Sequence, residues 1–406
     1  MTAERSDYVR SRLSKSVFSD SNFVETPICY NLQEKTIEEP VYIYDAIRVP
    51  IGKANGIYKN ILPENLAAFL IQKLLTRNNL SNDKIDEIIL ANAFGTGGNM
   101  ARYASLSAGL PESISAFTID SQCSGGLKAV ELGFALLKSL LQNLLIVGGM
   151  ESKSLAPIKS YQVNDERFDL NKEFFTTAKF SPNQVGEYPL LEAAKNVASK
   201  YAINKEEMLI WAKSSYEKAF FAKENAILEP FIEKISQSHK DQSIRPEIDL
   251  FKLATNDLID RTVSAHYNDA AACVLMGNAQ EKLKPLARII ATASAGIHPD
   301  FAPEGVILTT RKLFETSKIK IDEVDLFEIN ESFALIPLIF ARVFAVEKSK
   351  INVLGGNLAY GHPFGASGAI NLIHLLASLK YKKRKYGLAV IPAAGGQATA
   401  VLVENI

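Results

Sequence analysis

The pattern that most restricts what this chain can fold into is a short apolar run, a glycine-bearing turn and an amphipathic helix, written once in the first third and again in the last. In the first copy, 116–119 reads as a buried strand and Gly125-Gly126 as the turn. Leu127, Val130, Phe134 and Leu137 then share one helix face, and a strand over 144–147 ends in Gly148-Gly149. The second copy runs through a strand at 325–329, a helix at 332–346, a strand at 351–354, a Gly-rich turn, a helix at 367–379 and a strand at 388–391, ending in Gly395-Gly396. Runs of four to eight apolar residues bounded by turn signals suit strands buried on both faces, and their alternation with helical periodicity predicts an α/β fold. Two similar halves suggest duplication, and in such sheets ligands bind where strand carboxyl ends meet loops.

Upstream, the same grammar predicts a strand at 41–46, a helix at 64–77, a strand at 87–91 and a helix at 100–109. Residues 1–40 are polar and aperiodic and read as an N-terminal extension. Residues 154–266 are irregular, with helices predicted near 190–202 and 205–223, and read as an inserted lobe that covers or binds something. At 406 residues the chain has the length of two or three domains of about 150 residues each.

Forty-five basic and 45 acidic residues leave no net charge, hence no field to steer the protein to nucleic acid or an anionic membrane. The longest apolar stretch, 333–346, is broken by Arg342 and is shorter than the ~20 residues a membrane span needs. Cys29, Cys123 and Cys273 are odd in number and lack the paired spacing of a zinc or redox site, which predicts a reducing compartment and no metal. The first twenty residues have no hydrophobic stretch and carry acids, unlike a secretory or import signal, so a cytoplasmic location is expected.

Cys123 stands in Asp120-Ser-Gln-Cys-Ser-Gly-Gly126, between a strand and a helix start. There, free N–H groups and the helix dipole would lower a thiol's pKa toward the nucleophilic thiolate; the alternative is a small buried residue at a tight turn. His362, in Tyr360-Gly-His-Pro-Phe-Gly-Ala-Ser-Gly368, occupies the matching turn of the second half. It reads as a base working near neutral pH or as part of a helix-capping turn. Asn330, between a strand and a helix, reads as an N-cap, as an amide that holds water or polarises a carbonyl, or as both. Gly95-Thr-Gly-Gly-Asn-Met100 fails the dinucleotide fingerprint at its sixth position, and the basic run 380–385 reads as a solvated face.

Taken together, these fragments resemble the thiolase family from Val41 to Ile406. The resemblance rests on Asp45-Ala-Ile-Arg-Val-Pro-Ile-Gly52, the stretch 101–111, the cysteine motif with Gly126-Leu-Lys-Ala129, Gly148-Gly-Met-Glu-Ser152, Asn330-Glu-Ser-Phe-Ala334 and Gly361-His-Pro-Phe-Gly-Ala-Ser-Gly368. It implies a five-layered α-β-α-β-α fold of two duplicated halves, 41–153 (completed by 267–283) and 284–406. The loop domain 154–266 would bind coenzyme A, and the chain would assemble as a homodimer or homotetramer. It implies an acyltransferase of fatty acid metabolism with no permanently bound cofactor, acting on an acyl-CoA or acyl-carrier thioester. Cys123 would be the nucleophile, His362 the base that activates it, and Asn330 the holder of a water that, with His362, forms the oxyanion hole for one thioester oxygen. The backbone N–H groups of Cys123 and Ala394, with Gly395 and Gly396 in the same loop, would face the acyl-enzyme oxygen.

The sequence departs from that pattern in two places. The family's second cysteine, in Cys-x-Gly-Gly-Gly, is replaced by Pro392, with Ala394 at the first glycine. Proline has no titratable group, and loss of a positioned acid/base commonly costs 10²- to 10⁴-fold. Acyl transfer or hydrolysis without carbon–carbon bond formation is therefore an alternative, as is a non-catalytic subunit of a hetero-oligomer. The second departure is Thr262-Val-Ser-Ala-His-Tyr-Asn-Asp269, which resembles a shortened pantetheine-lining segment. Ser264 and His266 in this segment, and Phe364 in the histidine motif, are candidate substrate contacts, with His266 either a compensating base or a surface histidine.

Overall fold

The computed structural model describes residues 39–170, 174–175, 179–182, 189–237 and 239–406; Cys29 and all but the end of the extension lie outside them. The first half opens with β1 (Val41–Arg48) and the short β2 (Gly52–Lys53), followed by α1 (Pro63–Arg77), β3 (Glu87–Ala91), α2 (Met100–Ser107), β4 (Ser115–Ile119), α3 (Gly125–Lys138) and β5 (Leu144–Glu151). The lobe contributes α4 (Pro189–Lys200), α5 (Lys205–Glu224) and α6 (Leu250–Leu253), and the chain re-enters the sheet through β6 (Asn268–Gly277). The second half comprises β7 (Ala287–Gly296), α7 (Gly305–Thr316), β8 (Leu326–Ile329), α8 (Leu335–Phe344), α9 (Asn357–Tyr360), α10 (Phe364–Lys382), β9 (Tyr386–Ala393) and β10 (Gln397–Asn405).

The strands follow one hydrogen-bonded path, β4-β3-β5-β6-β1-β7-β10-β9-β8. β3 runs parallel to β4 and β5, and β8 parallel to β9, while β6, β1, β7 and β10 pair antiparallel. α3 and α10 lie side by side between the two halves. α10 packs on β5 and β6 from one and β8 and β9 from the other, and α3 packs on β3 and β5 and on β7 and β10. α1 and α2 cover the outer face of the first half, α7 and α8 that of the second, which completes five layers. Being central, α10 is buried on every face from Phe364 to Leu379; this explains why its sequence shows little amphipathic periodicity.

The two central helices meet at small residues. A Cβ on Gly126 would lie 2.7 Å from the Ala369 nitrogen, and one on Gly368 only 2.3 Å from the Leu127 nitrogen. The lobe is tied down by polar anchors: the fully buried Arg48 of β1 makes a two-pronged pair with Asp241 at 2.8 Å, a geometry in which guanidinium and carboxylate satisfy each other. Glu331 accepts from Trp211 Nε1 at 2.9 Å and from Ser215 Oγ at 2.7 Å, both on α5.

The strand expected at 351–354 does not form; only Ile351 makes an isolated bridge, to Phe327. Asn352 adopts a left-handed φ of 47°, and its side chain accepts from the Ile329 N–H at 2.7 Å and donates to the Ile329 carbonyl at 2.8 Å. One amide thus does the work of a strand on the open edge of β8. The helix expected over 332–346 is confined to Leu335–Phe344 and closes where Ala345 turns left-handed. Strands β7 and β10 and helix α7 had no counterpart in the sequence reading.

Candidate active site

After β4 the chain turns sharply at Gln122, whose φ of 49° is left-handed, and enters a short 3₁₀ turn, Gln122–Ser124, before α3 begins at Gly125. Asp120 Oδ1 braces this turn by accepting from the Gln122 N–H at 2.8 Å. Cys123 is thereby placed in the wall of a small, open apolar recess whose other walls include Leu190, Pro303, Ser332, Phe333, Pro392 and Ala394. The backbone N–H of Ala394 donates to the Cys123 sulfur. Ala394 opens the β9–β10 turn, which Gly395 (φ 79°) and Gly396 (φ 78°) complete. A Cβ on Gly396 would sit 2.1 Å from the Ile297 carbonyl oxygen, so the left-handed turn and its close approach to the end of β7 both require glycine there.

The sequence reading expected the helix start to lower the thiol's pKa; the structure reverses the sign. Burial pushes the Cys123 thiol up to about 12, the Ala394 N–H opposes this only in part, and the Glu151 carboxylate adds to the rise. The walls responsible come largely from the second half of the chain and from the lobe, neither of which is visible in the motif around Cys123. The resting sulfur is a neutral thiol.

His362 is buried. Its Nδ1 lies 2.7 Å from Ser367 Oγ and its Nε2 3.2 Å from Ser332 Oγ, and burial pushes its pKa down to about 3, so the ring is neutral. Its backbone N–H donates to the His266 carbonyl at 2.8 Å, and the Phe364 ring packs 4.7 Å from it. Neither side chain nor ring caps α10, whose cap residue is Pro363 with no side-chain bond. Asn330 is wholly buried, and because α8 begins only at Leu335 it is not that helix's N-cap. Its Nδ2 donates to Asn357 Oδ1 at 2.8 Å, and its Oδ1 accepts from both the N–H (2.9 Å) and the hydroxyl of Ser332.

Ser332 therefore joins the three expected residues: it shares the recess with Cys123 and is hydrogen bonded to Asn330 and His362. Pro392 lies in the same walls, and Ala394, Gly395 and Gly396 form the turn beside them. Ser264 and His266 are not among the residues that line the recess. Ser264 Oγ donates to the Asp260 carbonyl at 2.7 Å, and the His266 side chain is exposed, so this segment meets the site through backbone contacts with Phe333 and His362.

Sequence reasoning missed Ser332, Ser367, Asn357 and Glu151. Glu151 is buried at the end of β5 and accepts from Asn92 Nδ2 (3.0 Å) and the N–H groups of Ala93 (3.0 Å), Phe94 (3.1 Å) and Gly365 (2.9 Å). Burial still lifts its pKa to about 7. An acid closing a wholly apolar strand was the available signal. Among the described residues, no group of three or more His, Cys, Asp or Glu is placed to hold a metal ion, and no helix is long and apolar enough to cross a membrane.

Comparison with known proteins matches two family models along the chain: the thiolase N-terminal domain over residues 41–280 and the thiolase C-terminal domain over 283–405. A Bacillus subtilis (strain 168) protein named "Putative acetyl-CoA C-acetyltransferase YhfS" is 35% identical over 376 residues, covering 89% of this chain and 98% of that one. A Staphylococcus aureus (strain COL) protein named "Probable acetyl-CoA acyltransferase" is 31% identical over 392 residues, covering 90% and 99%. The crystal structure of the Bacillus anthracis acetyl-CoA acetyltransferase superposes with a TM-score of 0.84 at 28% identity, over 91% of this chain and 99% of that chain.

Proposed function

The chain belongs to the thiolase family, and from that premise we propose that this thiolase-type acyltransferase carries its acyl group on Cys123, taken from a coenzyme A thioester. The observation that carries the reading is the Cys123 sulfur in the recess wall with the Ala394 N–H directed onto it. In the transfer the sulfur bonds to the thioester carbonyl carbon, the bond to the coenzyme A sulfur breaks, and the thiol proton ends on that departing sulfur. The N–H groups of Cys123 and Ala394 are the donors for the oxygen that gains charge, each such donor being worth about 3 kcal/mol. His362 and Asn330 lie behind the lining residue Ser332, whose hydroxyl is hydrogen bonded to both. The lobe 154–266 is the proposed coenzyme A-binding region. The working assembly is proposed to be a homodimer or homotetramer, the location cytoplasmic, and the pathway fatty acid metabolism.

Incubation with acetyl-CoA followed by intact mass measurement tests the reading: one acetyl group is expected on the protein and none on Cys123→Ser. No adduct on the native protein with any of several acyl chain lengths would refute it.

A second reading concerns the acceptor. Pro392 stands in the recess beside Cys123 and offers no group to remove the α-proton of an incoming acyl-CoA. That favours transfer from Cys123 to water, an alcohol, an amine or a carrier thiol, none of which needs α-deprotonation. Condensation and thiolysis of acetoacetyl-CoA decide between acceptors: background rates in both, with acylation intact, select the second reading, and Pro392→Cys is expected to raise both rates.

A further inference from the structure

His362 and the turn that carries Cys123 pack at the start of α10. Its far end, about 28 Å away along a helix of 19 residues, leads into the basic run 380–385. The sequence alone reads this run as a solvated face. The fold instead curls it round an open concavity of about 560 Å³ and brings Lys284, from the connection between β6 and β7, into the same lining. Lys284, Lys380, Lys383, Arg384 and Lys385 all line it, and no acidic side chain does. Cations complement the dipole at a helix C-terminus, but that effect ends within the last turn, and Lys284 and Lys385 stand outside α10.

Neighbouring acids leave most of this charge unbalanced. Glu404 pairs with Lys385 at 3.4 Å and with Arg288 at 2.6 Å, and Asp325 Oδ2 accepts from the N–H groups of Lys385 (3.0 Å) and Tyr386 (2.9 Å). Among the described residues, Lys284, Lys380, Lys383 and Arg384 have no ion-pair partner; the terminal carboxylate of Ile406, also in the lining, can offset one of the four. The frame beneath them is fixed. The Arg384 N–H donates to the Leu379 carbonyl at 2.9 Å, the Leu286 N–H to the Ile43 carbonyl at 2.8 Å, and the Asn405 N–H to the Lys385 carbonyl at 2.8 Å. Cations held in place repel one another, and an anion that bridges several of them relieves that repulsion with little ordering of the backbone.

We propose that this concavity binds a compact, soluble polyphosphate, an anion with linked phosphate groups, at a site separate from the Cys123 recess. Its size falls within the roughly 300–1,000 Å³ of small-molecule sites. The lysines meet phosphate oxygens as mobile point charges, and Arg384 as a two-pronged donor. A bilayer or a nucleic-acid strand needs a basic face that continues outward, whereas here Glu404 and Asp325 adjoin the run. Pro285 and Leu286 add an apolar part to the lining that suits the ring of a nucleotide, so inorganic polyphosphates and nucleoside polyphosphates are the two sources of this chemistry.

Isothermal titration calorimetry on the full-length protein at low ionic strength tests this, with sodium tripolyphosphate and ATP as separate probes. Phosphatidylglycerol vesicles and an RNA oligomer serve as extended polyanions for comparison. One site per chain is expected, weakened by added salt. Lys284→Ala, and Lys383→Ala combined with Arg384→Ala, should each lower the affinity roughly tenfold. Lys348→Ala, at an exposed lysine outside the concavity, should leave it unchanged. The replaced side chains are exposed, so melting temperatures should match that of the native protein. Binding of tripolyphosphate, with or without ATP, supports the proposal and assigns the site to the phosphate chain; binding of ATP alone supports it and assigns the site to a nucleotide. No binding of either probe, an affinity that the variants leave unaltered, or binding confined to the vesicles or the RNA overturns it. None of these outcomes depends on acylation of Cys123.

Discussion

A neutral, enclosed thiol behaves differently from the activated cysteine that its motif suggests. With the Cys123 pKa pushed up to about 12, the thiolate fraction at pH 8 is about 10⁻⁴, against roughly a quarter for an ordinary thiol near 8.5. Alkylation of Cys123 by iodoacetamide is therefore expected to be slow at pH 8 and to rise about tenfold per pH unit through pH 10. A plateau near pH 9 in the rate of mass gain, traced to Cys123 by peptide mapping, would contradict this. The position of Cys123 was legible because a lone cysteine between a strand and a Gly-Gly helix start is an unusual local arrangement. The sign of its pKa shift was not, because it is decided by Phe333, Pro392 and Leu190, residues distant in sequence that only the fold brings near. Ser332 was invisible for a related reason: in Asn330-Glu-Ser-Phe-Ala334 a serine reads as an ordinary turn residue until Asn330, His362 and the recess converge on it.

At the scale of elements, α3 and α10 cross with no room for side chains at Gly126 and Gly368. Gly368→Ala would place a methyl group 2.3 Å from the backbone nitrogen of Leu127, and overpacking of this type costs about 1–3 kcal/mol. The expected outcome in urea is a lower midpoint with an unchanged slope; a midpoint equal to that of the native protein would show that the helices can separate freely. Helices were the most legible elements: 64–77, 190–202 and 205–223 were found with end errors of one or two residues. β7 escaped because alanine, threonine and serine fill 291–295, so no long apolar run announces it, whereas β10 does carry an apolar run, Ala400–Val403, that the sequence reading passed over. Residues 351–354 misled for the opposite reason: they are apolar enough for a strand, but Asn352 takes over the pairing with its side chain.

The whole molecule carries buried imidazoles whose protonation the fold resists. Burial holds both His362 and His374 down to about 3, and Arg48 beside His374 acts in the same direction. In an unfolded chain they would titrate near 6.5, so their contribution is fully present above that value and is lost as the pH falls toward their folded values. Between about pH 5.5 and 4 the unfolded state binds nearly two more protons at these sites, which costs about 2.7 kcal/mol per pH unit. Asp241 and Asp260, both held below the usual carboxylate range despite burial, chiefly by Arg48 and Lys205 respectively, act with the same sign below pH 4. Melting temperatures recorded at half-unit steps should drop steeply across this interval; a flat profile would mean that the imidazoles are wet. The duplicated α/β plan was readable from the order of strands, turns and helices, whereas this acid sensitivity depends on how completely the second half encloses its histidines.

The carboxylate of Glu151 gathers N–H donors from the β3 loop of one half and from Gly365 of the other. Any breathing motion along that seam would leave a charge stripped of its partners in a dry interior. The seam is therefore riveted shut, which keeps the walls that the two halves contribute around Cys123 in one fixed register.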